Sequence, residues 1–186
     1  MTLSLKPLAL CAAALLLTAC GHRGGMDHDM HAGHAEPKGP RALATLAPTK
    51  GNTTAGTVHF VQHGDHVMAT VRITGLKANS EHGFHVHEKG DCSSGDGMST
   101  GGHFNPTGQP HGPQHAAHHA GDMPALKADA NGVAEMRFHI SGVTIGSGPA
   151  DLLGRGLIVH AQPDDYSTQP TGNSGARIAC AVIQAA

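Results

Sequence analysis

The side chains best suited to chemistry in this sequence lie in one stretch, between His82 and Asp122. Within it, the residue types that bind metal ions recur as His85, His87, His103, His111, His119 and Asp122. The run GFHVHE alternates apolar residues with histidines, which is the pattern of a β-strand. His85 and His87 are therefore predicted to share one face of a strand, about 6.5–7 Å apart, where both imidazoles can converge on one ion.

The residues that follow Cys92 are rich in glycine and proline and have no regular period, which predicts a long loop. A long loop that carries many ligand-type side chains is usually functional. Histidine and aspartate are the expected ligands of Zn²⁺, and imidazole also suits Cu²⁺. The stretch therefore predicts a metal centre built from one strand and one loop.

These motifs, GFHVHEKGDC, GGHFNP, HGP and HHAGD, resemble in type and order those of the copper/zinc superoxide dismutases. The resemblance continues in GLIVHAQPDD and GNSGARIACAVI, so it covers the larger part of the chain. The segments DCSSGDGMSTGGHFNP and HHAGDMPAL are similar to those of the bacterial, exported branch of the family. The resemblance implies an enzyme that converts superoxide to dioxygen and hydrogen peroxide, with one copper ion and one zinc ion per subunit.

The resemblance also implies the ligands of each ion. Copper would be bound by His85, His87, His103 and His160, and zinc by His103, His111, His119 and Asp122. His103 would therefore serve both ions, one through each ring nitrogen. His115 and His118 compete with His119, and the motif HxGD favours His119 because it pairs this residue with Asp122. The remaining histidines of the domain are predicted to be bystanders, namely His59, His63, His66, His82 and His139.

Further roles follow from the same resemblance. Asp164, in HAQPDD, would link a copper ligand, His85, to a zinc ligand, His111. Arg177, in GARIAC, would lie beside the open copper position, where a guanidinium attracts and orients a small anion. Arg177 and His103, which would take up and return a proton, are thus the expected catalytic residues. The alternatives are that Asp164 is a surface residue in a turn and that Arg177 is a surface residue at the end of a strand.

The four cysteines fall into two groups. Cys11 and Cys20 belong to an N-terminal targeting segment, which leaves Cys92 and Cys180 in the domain. An exported chain meets oxidising conditions, so a disulfide is expected, and the family pairs the cysteines of the matching motifs DC and RIAC. The alternative is a pair of buried free thiols.

The elements that must position these residues are short strands. Residues 56–62 and 67–74 alternate apolar and polar side chains around a predicted hairpin turn at HGD. Residues 133–140 alternate in the same way, and residues 157–161 and 177–183 are the last candidates. This pattern and the resemblance predict an all-β fold, a Greek-key sandwich or flattened barrel of about eight antiparallel strands with long metal-binding and electrostatic loops.

The N-terminus is predicted to carry a targeting signal. Lys6 precedes an apolar run that is too short to span a bilayer comfortably, which is typical of a signal peptide over residues 1–19. The run LTAC resembles a bacterial lipobox, so Cys20 is predicted to be lipidated; the alternative is ordinary cleavage after Ala19. The domain is accordingly expected in the periplasm, anchored to the outer membrane.

Residues 20–40 are predicted to be a flexible tether, because they contain almost no bulky apolar residue that could form a core. They are rich in histidine and methionine, so they form either a solvated linker or a weak metal-capturing tract. The folded domain is predicted to span residues 41–186.

The predicted partners follow from charge and motif. The formal net charge is −2 and there is no basic patch with interleaved aromatic residues, which argues against nucleic acid. The expected partners are superoxide as the substrate and a membrane only through a lipid on Cys20, whereas monomer and homodimer both remain open. The competing function is a non-catalytic copper- and zinc-binding protein of the cell envelope on the same fold.

Overall fold

The computed structural model describes residues 39–186; the predictions for the signal peptide, for Cys20 and for nearly all of the tether fall outside this range. The strands are β1 (Arg41–Pro48), β2 (Ala55–His63), β3 (His66–Thr74), β4 (Glu81–His82), β5 (Phe84–His87), β6 (Leu126–Lys127), β7 (Ala134–Ser141), β8 (Gly156–His160), β9 (Arg177–Val182) and β10 (Gln184–Ala185). One 3-10 turn, Met98–Thr100, is the only helical element in this range. Residues 39–186 thus contain no helix with the length and hydropathy needed to cross a membrane.

The main sheet is antiparallel and curled, with the strand order β5-β8-β9-β1-β2-β3-β7 and with β10 beside β1. β1 joins the two halves of this sheet because it changes partner along its length. Residues 41–46 pair with β2, whereas residues 47–48 pair with β9. The short strands β4 and β6 form a separate pair. The predicted all-β fold class is confirmed.

The core is built from alternating apolar residues on the inner face of the sheet. β3 buries Val67, Ala69, Val71 and Ile73. β7 has the alternation predicted for residues 133–140, with its exposed positions at Glu135, Arg137 and His139. Since the chain contains no tryptophan, branched aliphatic side chains and alanine fill most of the interior, and branched residues suit a pleated surface.

Sequence analysis missed β1 (Arg41–Pro48). Its buried positions are Ala42, Ala44 and Leu46, so two of the three side chains are small and the apolar alternation is weak. Its place in the sheet comes from long-range pairing with β2 and β9. This is tertiary context, which a local pattern does not contain.

The strand that carries the first two candidate ligands, β5, ends the order of the main sheet and pairs on one side with β8. The long loop between β5 and β6 covers its other edge. The amide of Val86 donates to the carbonyl of Gly121, and the amide of Phe104 donates to the carbonyl of Val86, both at 2.8 Å. These two hydrogen bonds hold the loop beside the strand that carries His85 and His87.

The same loop is also tied covalently to β9. Cys92 and Cys180 form a disulfide with their Cα atoms 6.0 Å apart, which confirms the predicted pairing. Cys92 lies in the loop and Cys180 on a buried part of β9. The bond thus connects the loop to the strand that begins with Arg177.

Candidate metal centre

Two histidines of β5 form the base of the site. His85 and His87 are fully buried, and their ring centroids lie 6.2 Å apart. Because alternate residues of a strand share a face, both rings point to the same side, whereas Phe84 and Val86 pack in the hydrophobic core. The strand predicted for GFHVHE is confirmed as Phe84–His87.

Two further histidines complete a first group. His160 is the last residue of β8, and His103 lies in the loop over β5; their ring centroids are 4.8 and 3.9 Å from that of His85. One ring nitrogen of each residue lies within 4.8 Å of those of the others, and every member is buried. We call this group the four-histidine set: His85, His87, His103 and His160.

Backbone carbonyls orient two rings of this set. His87 Nδ1 lies 3.0 Å from the carbonyl oxygen of Gly101, and His160 Nδ1 lies 3.2 Å from that of Gly175. Since a carbonyl only accepts hydrogen bonds, Nδ1 carries the proton in both rings. The lone pair of each ring is therefore on Nε2, which faces the other members of the set.

The nitrogens that face one another in this set are buried and have no hydrogen-bond partner within residues 39–186. They are His85 Nδ1, His87 Nε2, His103 Nε2 and His160 Nε2. Buried polar atoms are nearly always satisfied, so a group of unsatisfied atoms calls for a bound species. Convergent imidazole lone pairs fit a transition-metal ion such as copper.

A second group of ligand atoms surrounds Asp122. Its Oδ1 lies 2.8 Å from His103 Nδ1 and 3.3 Å from His119 Nδ1, and its Oδ2 lies 3.0 Å from His111 Nδ1. The four ligand atoms lie within 4.8 Å of one another and all four residues are buried. Three imidazoles and one carboxylate match the donor types and number of a zinc site. We call this group the Asp122 set: His103, His111, His119 and Asp122.

The environment of Asp122 keeps its carboxylate ionised. Burial acts to raise its pKa, but hydrogen bonds from His103, His111 and His119 outweigh burial and hold the pKa well below its usual range. The backbone amides of Gly112 and His119 also donate to Oδ2, at 3.1 and 3.0 Å. An ionised carboxylate is the form that binds a cation.

Burial likewise keeps the histidines of the four-histidine set neutral. It is the main cause that lowers the pKa of His85, of His87 and of His103, and it lowers the pKa of His160 to about 3. Neutral imidazole is the form that binds metals. The set is thus ready to bind a metal ion without first losing protons at neutral pH.

His103 is the residue that the two sets share. Its Nδ1 faces Asp122 and its Nε2 is one of the unsatisfied nitrogens of the four-histidine set. It is the single member common to the two metal-type clusters among the described residues. In the structure, His103 directs one ring nitrogen toward Asp122 and the other toward the four-histidine set.

Asp164 lies beside one member of each set, His85 and His111. Its Oδ2 is 2.7 Å from His85 Nε2, whereas its Oδ1 is 3.8 Å from His111 Nε2, which is longer than a hydrogen bond. Ser174 Oγ donates to Oδ1 at 2.7 Å. The hydrogen bond between Asp164 Oδ2 and His85 Nε2 fixes the ring of His85 so that its Nδ1 points into the four-histidine set.

A pocket of about 260 Å³ opens beside the four-histidine set. Its lining includes Met98, His103, His160, Thr171, Asn173 and Arg177. The Arg177 guanidinium donates to the carbonyls of Gly97 and Gly101 at 2.7 and 2.8 Å and to Thr100 Oγ1 at 2.9 Å. These bonds hold a cation at the wall of a pocket that also exposes two histidines of the set.

The competing histidines lie outside both sets. His118 Nδ1 lies 2.8 Å from the carbonyl of Ala116, and His115 is exposed. His82 is buried, but its Nδ1 lies 2.8 Å from the carbonyl of His160, where it supports the backbone. Of His115, His118 and His119, only His119 contributes a ring nitrogen to the Asp122 set.

Sequence analysis missed Gln169. Its Oε1 accepts from the amide of His111 and its Nε2 donates to the carbonyl of His111, both at 2.8 Å. This pair of bonds joins the loop after β8 to a ligand of the Asp122 set. Because the contacts run to the backbone, no pattern of residue types could have revealed them.

Comparison with known proteins agrees with this geometry. Residues 54–183 match the family model described as copper/zinc superoxide dismutase (SODC). A curated superoxide dismutase (Cu-Zn) of Paramecium bursaria Chlorella virus 1 is 44% identical over 135 residues, which cover 69% of this chain and 71% of the relative.

Solved structures show the same similarity. A double mutant of a SOD-like protein from Bacillus subtilis is 34% identical with a TM-score of 0.69, covering 76% of this chain and 96% of that one. The clock protein EA4 is 40% identical with a TM-score of 0.71, covering 78% of this chain and 94% of that one.

Proposed function

The chain belongs to the copper/zinc superoxide dismutase family, and from this we propose that it converts two superoxide ions and two protons into dioxygen and hydrogen peroxide. The observation that carries this function is a pair of buried ligand sets that share His103. One set offers only imidazole nitrogens and suits copper, whereas the other adds a carboxylate and suits zinc.

The hydrogen bonds assign the nitrogen that each ring would present to its ion. Copper would be held by Nδ1 of His85 and by Nε2 of His87, His103 and His160. Zinc would be held by Nδ1 of His103, His111 and His119 and by a carboxylate oxygen of Asp122. When bound, copper supplies the one-electron chemistry, and zinc supplies charge and order without redox chemistry of its own.

His103 is the residue proposed to hold and return a proton. Its Nε2 belongs to the four-histidine set and the residue lines the substrate pocket, while its Nδ1 remains beside Asp122. With copper and zinc bound, Nε2 of His103 would be the nitrogen that takes up a proton and gives it to the substrate as peroxide forms. Because Nδ1 stays on the Asp122 side, the ring keeps its position during the transfer.

Arg177 is proposed to bind and orient superoxide. The substrate is a small anion, and Arg177 places a cation on the wall of the pocket next to His103 and His160. Hydrogen bonds to Gly97, Thr100 and Gly101 fix this cation before the substrate arrives. A fixed cation in a narrow pocket both attracts the anion and limits the directions from which it can approach.

Metal analysis together with a superoxide-consumption assay on the purified chain tests this function. Consumption in proportion to bound copper supports the enzyme, whereas metal-loaded protein without consumption supports a non-catalytic copper- and zinc-binding protein. The position of Arg177 favours the enzyme over the non-catalytic protein. A cation in this pocket repels metal cations and attracts an anion, so it assists the binding of superoxide and does not assist the binding of metal.

We propose further that the chain is of the bacterial exported type and works in the periplasm, held at the outer membrane by a lipid on Cys20. The motif LTAC after the apolar run supports this location, as does the Cys92–Cys180 disulfide, because such bonds persist in oxidising compartments. The test is palmitate incorporation and cell fractionation of wild type and Cys20→Ser. Loss of label with release of the protein supports the anchor, and unchanged label contradicts it.

A further inference from the structure

The ring of His111 is supported differently from two rings of the four-histidine set. A metal-binding histidine usually donates its second ring N–H to an acceptor, as His87 and His160 do to backbone carbonyls. His111 Nε2 has no hydrogen-bond partner among residues 39–186, and Asp164 Oδ1 lies 3.8 Å away from it. Other contacts must therefore set the position of this ring.

The backbone of His111 is held by one side chain, that of Gln169. Gln169 Oε1 accepts from the amide of His111, and Gln169 Nε2 donates to the carbonyl of His111, both at 2.8 Å. The two residues are 58 positions apart in sequence. Because both polar backbone atoms of His111 are bound, the point from which its imidazole extends is fixed.

The ring of His111 is covered by Tyr166. The two rings are stacked, with their centroids 5.9 Å apart and their planes at 18°. Tyr166 is 40% exposed and lines an outer pocket of about 600 Å³, whereas His111 is 2% exposed. One face of the imidazole is therefore covered by an aromatic ring that itself meets solvent.

Both contacts come from one structured segment, residues 165–172, which we call the cover loop. Its ends are closed by the amide of Asp165, which donates to the carbonyl of Gly172 at 2.7 Å. The carboxylate of Asp165 accepts from the amide of Ser167 at 2.9 Å and from the hydroxyl of Thr168 at 2.6 Å. These internal hydrogen bonds allow the loop to act on His111 as a unit.

The cover loop also lies directly against the imidazole. A Cβ atom at Gly172 would be 2.3 Å from His111 Nε2, so only glycine fits at this position. On the other side of the ring, His111 Nδ1 lies 3.0 Å from Asp122 Oδ2. The imidazole thus lies between the cover loop and the carboxylate of the Asp122 set, and His111 cannot move away from Asp122 unless the loop moves.

We propose that Gln169 and Tyr166 are positioning residues for zinc, and that zinc leaves the Asp122 set only after the cover loop has released His111. This inference rests on the proposed function, because it takes zinc to be the ion of that set. His111 belongs to the Asp122 set and not to the four-histidine set, so the two side chains act on zinc and spare copper.

The rate of zinc release is the first readout. The full chain is loaded with copper and zinc, freed of loosely held metal by dialysis, and mixed with an excess of a colorimetric zinc chelator. Gln169→Ala removes both hydrogen bonds to His111 and is expected to release zinc about tenfold faster than wild type, as loss of a partner behind a metal ligand does. Its copper content is expected to stay at the wild-type level.

A matched control lies in the same loop as His111. Gln109 is exposed, and its hydrogen bonds with Asn105 use only the backbone of Gln109. Gln109→Ala is therefore expected to release zinc at the wild-type rate. The stacked ring is tested by a conservative pair: Tyr166→Phe keeps an aromatic ring and should match wild type, whereas Tyr166→Ala uncovers the imidazole and should release zinc faster.

Fluorescence follows the cover loop itself. Tyr166 is the only tyrosine of the chain, which contains no tryptophan, so tyrosine emission reports on this loop alone. After addition of the chelator, the emission of wild type is expected to change at the rate at which zinc leaves. Both rates are expected to rise together in Gln169→Ala.

Equal zinc-release rates in wild type and Gln169→Ala, or zinc release without a change in the emission of Tyr166, would overturn the positioning role. Superoxide consumption by the loaded wild type is measured on the same preparation. A failure of the proposed function would appear there as absent consumption, whereas a failure of the positioning role would appear only in the comparison of the variants. Wild type that retains no zinc would overturn both.

Discussion

Arg177 and His87 are joined through a single backbone atom, the carbonyl oxygen of Gly101. Arg177 Nη2 donates to this oxygen at 2.8 Å, and His87 Nδ1 donates to it at 3.0 Å. Gly101 has a φ of 76°, a conformation that residues other than glycine rarely adopt. One loop position, Gly101, therefore supports both Arg177, which lines the substrate pocket, and His87, a member of the four-histidine set.

Arg177→Glu is expected to slow superoxide consumption by roughly tenfold or more, because an attracting charge becomes a repelling one. Salt screens interactions between charges, so it should slow the wild type and partly restore the variant. The measurement is the rate as a function of ionic strength. Arg177→Lys keeps the charge and should keep the sign of the wild-type salt dependence, whereas equal wild-type and Arg177→Glu rates at low salt would remove Arg177 from the mechanism.

His103→Ala is expected to lower the content of both metals, because this one side chain belongs to both sets. His85→Ala is the matched control: it removes a ligand of the four-histidine set alone and should spare zinc. Metal content after dialysis against a weak chelator distinguishes the two variants. Normal zinc together with an unchanged copper spectrum in His103→Ala would refute the shared assignment.

The local part of this site was predictable from the sequence. The spacing of His85 and His87 in GFHVHE fixes a shared face through strand periodicity, which the structure reproduces. The ligand partners across the chain followed from the family resemblance. Backbone acceptors were not predictable: the carbonyl of Gly101 leaves no side-chain signal, and it decides which nitrogen of His87 is free.

Strand β1 was missed for a related reason. Alanines at Ala42 and Ala44 give a weak apolar pattern, although both are buried.

Removal of the disulfide by Cys92→Ala/Cys180→Ala is expected to lower the free energy of unfolding of the metal-free protein by about 4–5 kcal/mol. The bond closes a loop with a sequence separation of 88, and a long loop gives a large gain in the chain-entropy account. Denaturant titration measures the difference. An unchanged midpoint and slope in the double variant would contradict this stabilising role.

The metal-free protein is expected to lose stability in mild acid. Burial lowers the pKa of His160 in the folded state from 6.5 to about 3, and it shifts the pKa of His85 and of His87 in the same direction. The unfolded chain therefore binds these protons at higher pH than the folded chain. The stabilising contribution is complete above the unfolded value of 6.5 and is lost as the pH falls toward 3.

Each of these groups contributes a slope of at most about 1.4 kcal/mol per pH unit. Denaturant titrations of the metal-free protein through this window check the slope, and His160→Asn should make it shallower. Stability that is independent of pH in this window would show that the buried histidines do not control acid sensitivity.

The most direct measurement for the central claim is the rate of superoxide consumption per bound copper. Purified protein is loaded with zinc and with graded amounts of copper, and loosely held metal is removed by dialysis against a chelator. The rate is expected to rise in proportion to the copper retained by wild type, and to fall to the buffer rate in His103→Ala protein treated in the same way. Wild-type protein with copper and zinc in both sets that consumes superoxide no faster than buffer would contradict the assignment as a superoxide dismutase.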